Sequence, residues 1–141
     1  MDGTEAQCRC GAQGATVRPL DGRRVLIVED SPAFQGALAA MARALGGAET
    51  IVGTGEAGLR EFARGGYDLA IVDIDLPDMS GAEVIAQVRG GAAALLAVSA
   101  HAEPQDAPDA DHFEAKPIAR LADFESAVRR ALEGRDARRE G

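Results

Sequence analysis

Asp68-Leu69-Ala70-Ile71-Val72-Asp73-Ile74-Asp75-Leu76-Pro77-Asp78-Met79-Ser80-Gly81 runs from an unbroken apolar stretch straight into carboxylates. Leu69 to Val72 is too brief for a helix and has no polar break, which suits a strand buried on both faces, as in a parallel sheet. Pro77 and Gly81 mark an irregular loop before the next helix. Asp73 therefore stands at the carboxyl end of a buried strand, where open α/β sheets place their chemistry. From this stretch alone, an aspartate that simply opens a turn fits equally well.

Outward from there the pattern repeats. Val25 to Val28 is another apolar run ending in acid, Glu29-Asp30, and Ser31-Pro32 supplies an N-cap and a first-turn proline. Phe34, Leu38, Met41 and Leu45 fall at helical spacing, a core stripe stopped by Gly46-Gly47. Glu49 to Val52 is a weaker strand, followed by a helix over 56–64 that ends at Gly65-Gly66. A third helix runs from Gly81 to Arg89, and Ala94 to Val98 is a strand leading to Ser99. Residues 100–112 are acidic and broken by Pro104 and Pro108, with room for at most one helical turn. Phe113 to Ala115 is a short fifth strand before Lys116-Pro117. A last helix covers 120–133, with Leu121, Phe124, Val128 and Leu132 as its stripe.

Residues 1–22 show no periodicity and are expected to be a disordered leader, with 23–134 as the single domain and 135–141 as a disordered tail. Cys8 and Cys10 lack the ligands of a zinc site and the spacing of a redox motif, so they read as incidental thiols. Asp106, Asp109 and Asp111 read as a solvated acidic loop, His101 and His112 as solvent-facing loop residues, and Asp78 as a turn residue.

Composition limits the function classes. A net charge of -8 argues against nucleic acid as a direct partner, because phosphate binding needs a basic face. No apolar run approaches membrane-spanning length and no signal pattern opens the chain, so a cytoplasmic protein without membrane contact is expected. Aromatics are only 4% of residues, which leaves Ala, Val, Leu and Ile to build the core.

The alternation of strands and helices predicts a parallel sheet with helices on both faces. Glu29, Asp30, Asp73, Ser99 and Lys116 each follow an apolar run, so one sheet edge collects three acids, a hydroxyl and an amine. Crowded carboxylates repel unless a cation joins them, and Mg²⁺ takes one or two carboxylates plus phosphate oxygens and water. Lys116 can pair with a carboxylate or a phosphoryl oxygen, and Ser99 can donate one hydrogen bond. These parts suit in-line phosphoryl transfer, with Asp73 as the attacking carboxylate.

At this point the chain resembles a receiver domain of the two-component response-regulator family. The resemblance covers roughly residues 23–134 and rests on four motifs. They are Val25-Leu26-Ile27-Val28-Glu29-Asp30-Ser31-Pro32, Val72-Asp73-Ile74-Asp75-Leu76-Pro77 with Gly81, Ser99-Ala100, and Lys116-Pro117. It implies a flavodoxin-like, doubly wound five-stranded parallel sheet in the order 2-1-3-4-5. It implies Asp73 as the phosphoacceptor, charged by a histidine kinase or a histidine phosphotransfer protein. It further implies Mg²⁺ held by Glu29, Asp30, Asp73 and the Asp75 backbone carbonyl, Ser99 as switch hydroxyl, Phe113 as switch aromatic, and a cis Lys116-Pro117 bond. Such a stand-alone receiver would catalyse only its own phosphorylation and dephosphorylation, and would either switch the binding of an output protein that the sequence does not name or relay the phosphate onward.

One departure concerns length. Only residues 100–115 separate Ser99 from Lys116, several fewer than the family usually has, so the fourth helix is expected to be short or absent and its loop mobile. Asp75 and His101 sit where the family tunes phosphoryl lifetime. Two rivals share motifs with the chain. Gly53-Thr54-Gly55-Glu56-Ala57-Gly58 satisfies the dinucleotide-binding fingerprint. Asp73-Ile74-Asp75 copies the first motif of aspartate-nucleophile phosphatases of the haloacid dehalogenase type, although Leu76-Pro77 follows where that family has Gly-Thr.

Overall fold

A computed structural model describes residues 17–140. Its elements in order are β1 (Arg24–Val28), α1 (Pro32–Ala44), β2 (Ala48–Val52), α2 (Gly55–Arg64), β3 (Leu69–Asp73), α3 (Gly81–Val88), β4 (Ala94–Ser99), β5 (His112–Ala115) and α4 (Leu121–Glu140). The strands pair in parallel as β2-β1-β3-β4-β5, the flavodoxin-like order expected. Val28 lies beside both Val52 and Val72, Asp73 beside Val98, and Ser99 beside Ala115. The residues that leave each central strand therefore emerge at one edge.

Side chains alternate across the sheet, which makes two cores. Val25, Ile27, Leu69, Ile71, Leu96 and Val98 pack under α1 and α4, against Leu38, Ala42, Phe124 and Val128. Leu26, Val28, Ala70, Val72, Leu95 and Ala97 face the other way, toward Val84 and Ile85 of α3 and Leu59 and Phe62 of α2. Fully burying one such side chain contributes roughly 1.5–3 kcal/mol, so both faces of the sheet contribute to holding the fold. Among the described residues, no helix is long and apolar enough to cross a membrane.

Between β4 and β5 the one helical piece is a 3-10 turn, Pro104–Asp106; the fourth α-helix in chain order, α4, follows β5. The loop around that turn is pinned rather than loose. Asp106 Oδ2 accepts from the Glu103 N–H at 2.8 Å, Ala107 is buried against the second core, and Arg89 donates to the Asp109 carbonyl.

Four expectations need correction. Order starts before Arg24: Leu20 is fully buried and its N–H donates to the Leu45 carbonyl at 3.0 Å. The rest of the expected leader, residues 1–16 with Cys8 and Cys10, lies outside the described residues. The expected tail is instead the end of α4, which continues to Glu140. Arg138 explains why. Its guanidinium reaches both carboxylate oxygens of Asp111 at 2.7 and 3.0 Å, and donates to the carbonyls of Arg89 and Ala93. Arg135 donates to the Ala92 carbonyl at 2.9 Å. Asp111, whose side chain is almost wholly buried, also accepts from the Leu95 N–H, so it is not a solvated acid. Its carboxylate holds the Arg138 guanidinium above its ordinary value. Gly134 lets α4 pass this close, since a Cβ there would stand 2.8 Å from the Asp111 carbonyl oxygen. The fourth correction is His112, which belongs to β5, is half-buried, and lies 3.1 Å from Glu114 Oε1.

Candidate functional site

Glu29 and Asp30 follow β1 directly, and Asp73 is the last residue of β3. Because β1 and β3 are paired, their acids converge: one carboxylate oxygen from each of Glu29, Asp30 and Asp73 lies within 4.8 Å of the others. Glu29 is fully buried, Asp73 nearly so, and Asp30 faces solvent. Lys116, just beyond β5, extends its ammonium into this group. It donates to Asp73 Oδ2 at 3.1 Å and sits 2.6 Å from Glu29 Oε1. The Glu29 contact is an ion pair off the hydrogen-bond direction, so Oε1 is left without a hydrogen-bond donor, while Oε2 accepts from the Ser31 N–H at 3.2 Å.

Burial pushes the Glu29 carboxyl above its ordinary value of 4.5, and Lys116 and the Ser31 N–H pull against that rise. Three carboxylates against one ammonium leave the cluster short of positive charge. An undonated buried oxygen, two neighbouring carboxylates and an opening at Asp30 form an all-oxygen donor set that fits a small hard cation such as Mg²⁺.

The remaining expected residues are placed as follows. Ser99 is buried at the end of β4, but its hydroxyl turns to Asp75, donating to Oδ2 at 2.8 Å. Asp75 in turn gives its N–H to Asp73 Oδ1 at 3.0 Å. Phe113 is half-buried on β5 and packs against the core that contains Val72 and Ala97. The Lys116-Pro117 bond is cis. The loop after Asp73 folds back tightly, and Gly81 permits it, because a Cβ at 81 would run into the Asp73 carbonyl oxygen.

Other side chains at this edge escaped the sequence-based expectations. Phe34, assigned to a core stripe, lies half-buried with its ring centroid 4.0 Å from the Lys116 ammonium. Gln35 donates to the Glu29 carbonyl at 2.6 Å. Asp78 is more than a turn residue, since its carboxylate accepts from the N–H groups of Gly55 and Glu56 at 2.8 and 3.0 Å. Its one sequence signal was position, in the loop that leads from a site strand back past the start of α2.

These bonds bear on both rivals. The N–H groups that a pyrophosphate would need at the start of α2 are filled by Asp78, and the Ala57 N–H by the Thr54 hydroxyl. Asp75, which a haloacid dehalogenase would use as a free acid, is engaged with Ser99.

Comparison with known proteins points the same way. The family model described as response regulator receiver domain matches residues 25–119. Sensory transduction protein RegX3 of Mycolicibacterium smegmatis is 34% identical over 122 residues, which are 80% of this chain and 54% of RegX3. The chain thus spans about half the length of that relative. Among solved structures, the receiver domain of a sensor histidine kinase from Pseudomonas aeruginosa PAO1 has a magnesium ion coordinated in its active-site cleft. It superposes with a TM-score of 0.70 at 26% identity, covering 79% of this chain and 98% of that one. Response regulator protein TrrA from Thermotoga maritima, in complex with Mg²⁺ and BeF, gives a TM-score of 0.71 at 27% identity, covering 78% and 99%.

Proposed function

Because this chain belongs to the response regulator receiver domain family, we propose that it takes a phosphoryl group onto Asp73 from a histidine kinase or a histidine phosphotransfer protein. The observation that carries this is the gathering of one carboxylate oxygen from each of Glu29, Asp30 and Asp73 within 4.8 Å, with the Lys116 ammonium against two of them. In the transfer, an Asp73 carboxylate oxygen forms the new bond to phosphorus while the bond from phosphorus to the donor's imidazole nitrogen breaks, leaving an acyl phosphate on Asp73. Hydrolysis by water returns the carboxylate and inorganic phosphate.

Each residue gathered at the site has a task in that exchange. Asp75 N–H, donating to Asp73 Oδ1, and Lys116, donating to Oδ2, fix the plane of the reacting carboxylate. Once Asp73 is phosphorylated, the Lys116 ammonium pairs with a phosphoryl oxygen, and its contact with the Phe34 ring keeps it from swinging to solvent. Ser99 donates to a second phosphoryl oxygen, and Phe113 turns inward behind it. Glu29, Asp30, Asp73 and the Asp75 carbonyl would hold Mg²⁺, which when bound neutralises charge shared between carboxylate and phosphoryl oxygens.

Acetyl phosphate with Mg²⁺ is expected to add the mass of one phosphoryl group. Asp73→Asn, or an excess of chelator, is expected to prevent it. An equal mass gain in Asp73→Asn would overturn the assignment.

A further inference from the structure

A serine hydroxyl has one donor and two acceptor sites. In Ser99 all three are used: the proton goes to Asp75 Oδ2 at 2.8 Å, and the oxygen accepts from the N–H groups of His101 at 3.1 Å and Ala102 at 2.9 Å. Nothing is left over for a phosphoryl oxygen. Yet the same Asp75 touches the candidate phosphoacceptor through its backbone, giving its N–H to Asp73 Oδ1. One residue therefore spans the site, main chain on the reacting carboxylate and side chain on the switch hydroxyl.

Resting on the function proposed above, we propose that the Asp75 carboxylate is a positioning residue, a competing acceptor that holds Ser99 away from Asp73 until a phosphoryl group outbids it. A hydroxyl bonded to a carboxylate makes a charge-assisted hydrogen bond, about twice as strong as a neutral one, so the held state is favoured while Asp73 is unmodified. A phosphoryl group offers the same proton an acceptor of higher charge and repels the Asp75 carboxylate. The exchange of one proton acceptor for another then ties His101 and Ala102, whose amides rest on the Ser99 oxygen, to the state of Asp73. The device depends on the side chain alone, so substitution at 75 leaves the backbone N–H and carbonyl in place.

The test is a titration with fluoroberyllate and Mg²⁺, read from the backbone amide signals of His101 and Ala102. It compares wild type, Asp75→Asn and Asp75→Ala, each also in a Ser99→Ala background. Loss of a hydrogen bond to a charged group predicts an Asp75→Ala midpoint about tenfold lower than wild type. Asp75→Asn keeps an accepting oxygen without the charge and should fall between the two. In the Ser99→Ala background the Asp75→Ala shift should vanish, the signature of coupling between the pair. Identical midpoints for Asn and Ala at 75 would mean that charge alone acts, and would overturn the proposal. So would an Asp75→Ala shift that survives without the Ser99 hydroxyl. If Asp75→Ala does not fold, Asp75→Asn against wild type in the two backgrounds measures the same coupling. Failure of fluoroberyllate and acetyl phosphate to reach Asp73 in every variant would sink the phosphoacceptor itself. Uptake on Asp73 without Asp75–Ser99 coupling would sink only this inference.

Discussion

Asp78 joins two places that lie 22 and 23 residues apart in the chain, the loop after the site strand and the start of α2. The N–H groups of Glu56 and then Gly55 stabilise its ionised form and hold its carboxyl below the ordinary 3.8. A lowered value means that the contribution is present above the ordinary value and is lost as pH falls through the folded one. Asp78→Ala should therefore lower the urea midpoint at about pH 7, and the gap from wild type should close below about pH 4. A gap that persists unchanged into acid would mean that the carboxylate charge contributes nothing at this position. Asp73 and Glu29 were legible in the sequence because each follows an apolar run whose pattern locates its end, and Lys116 because of the Lys116-Pro117 motif. Asp78, Phe34 and the Asp75 side chain were not, because their meaning lies in partners far along the chain. Asp75 meets Ser99 across 24 residues, and nothing local distinguishes such an acid from one that merely begins a turn.

At the scale of elements, the central strands followed from unbroken apolar runs, since a sheet covered on both faces needs apolar side chains on each, and most helices followed from their stripe. The end of α4 did not. After Leu132 no apolar stripe continues, and Arg135-Asp136-Ala137-Arg138-Arg139 looks like a solvated run. What holds it is polar: Asp111, which lies 27 residues away, and the backbone carbonyls around 89–93. The same reasoning failed at Leu20, a lone apolar residue among polar neighbours that the Leu45 turn draws into the core. Arg138→Ala would leave the buried Asp111 with the Leu95 N–H as its hydrogen-bond donor. The expected cost is about 1–3 kcal/mol, read by urea denaturation. No loss of stability would mean that the last turns of α4 are held some other way.

Across the whole molecule the two polar clusters stand apart. β4 carries the Leu95 end of the Asp111–Arg138 clamp and, four residues on, Ser99, a rise of roughly 13 Å along the strand. Sites so separated and without common partners should add. Mg²⁺ at a hundredfold over its dissociation constant should stabilise the fold by about 2.7 kcal/mol. That gain should survive in Arg138→Ala, vanish in Asp30→Asn, and the double variant should equal the sum of the singles within about 0.5 kcal/mol. A clamp variant that loses its response to Mg²⁺ would show the two ends to be linked. With its fastening at one pole and its chemistry at the other, β4 gives the protein two separate dials. If the two ends add as expected, endurance in heat or cold would be retuned by rebuilding the fastening, with the proposed phosphoryl site left as it was.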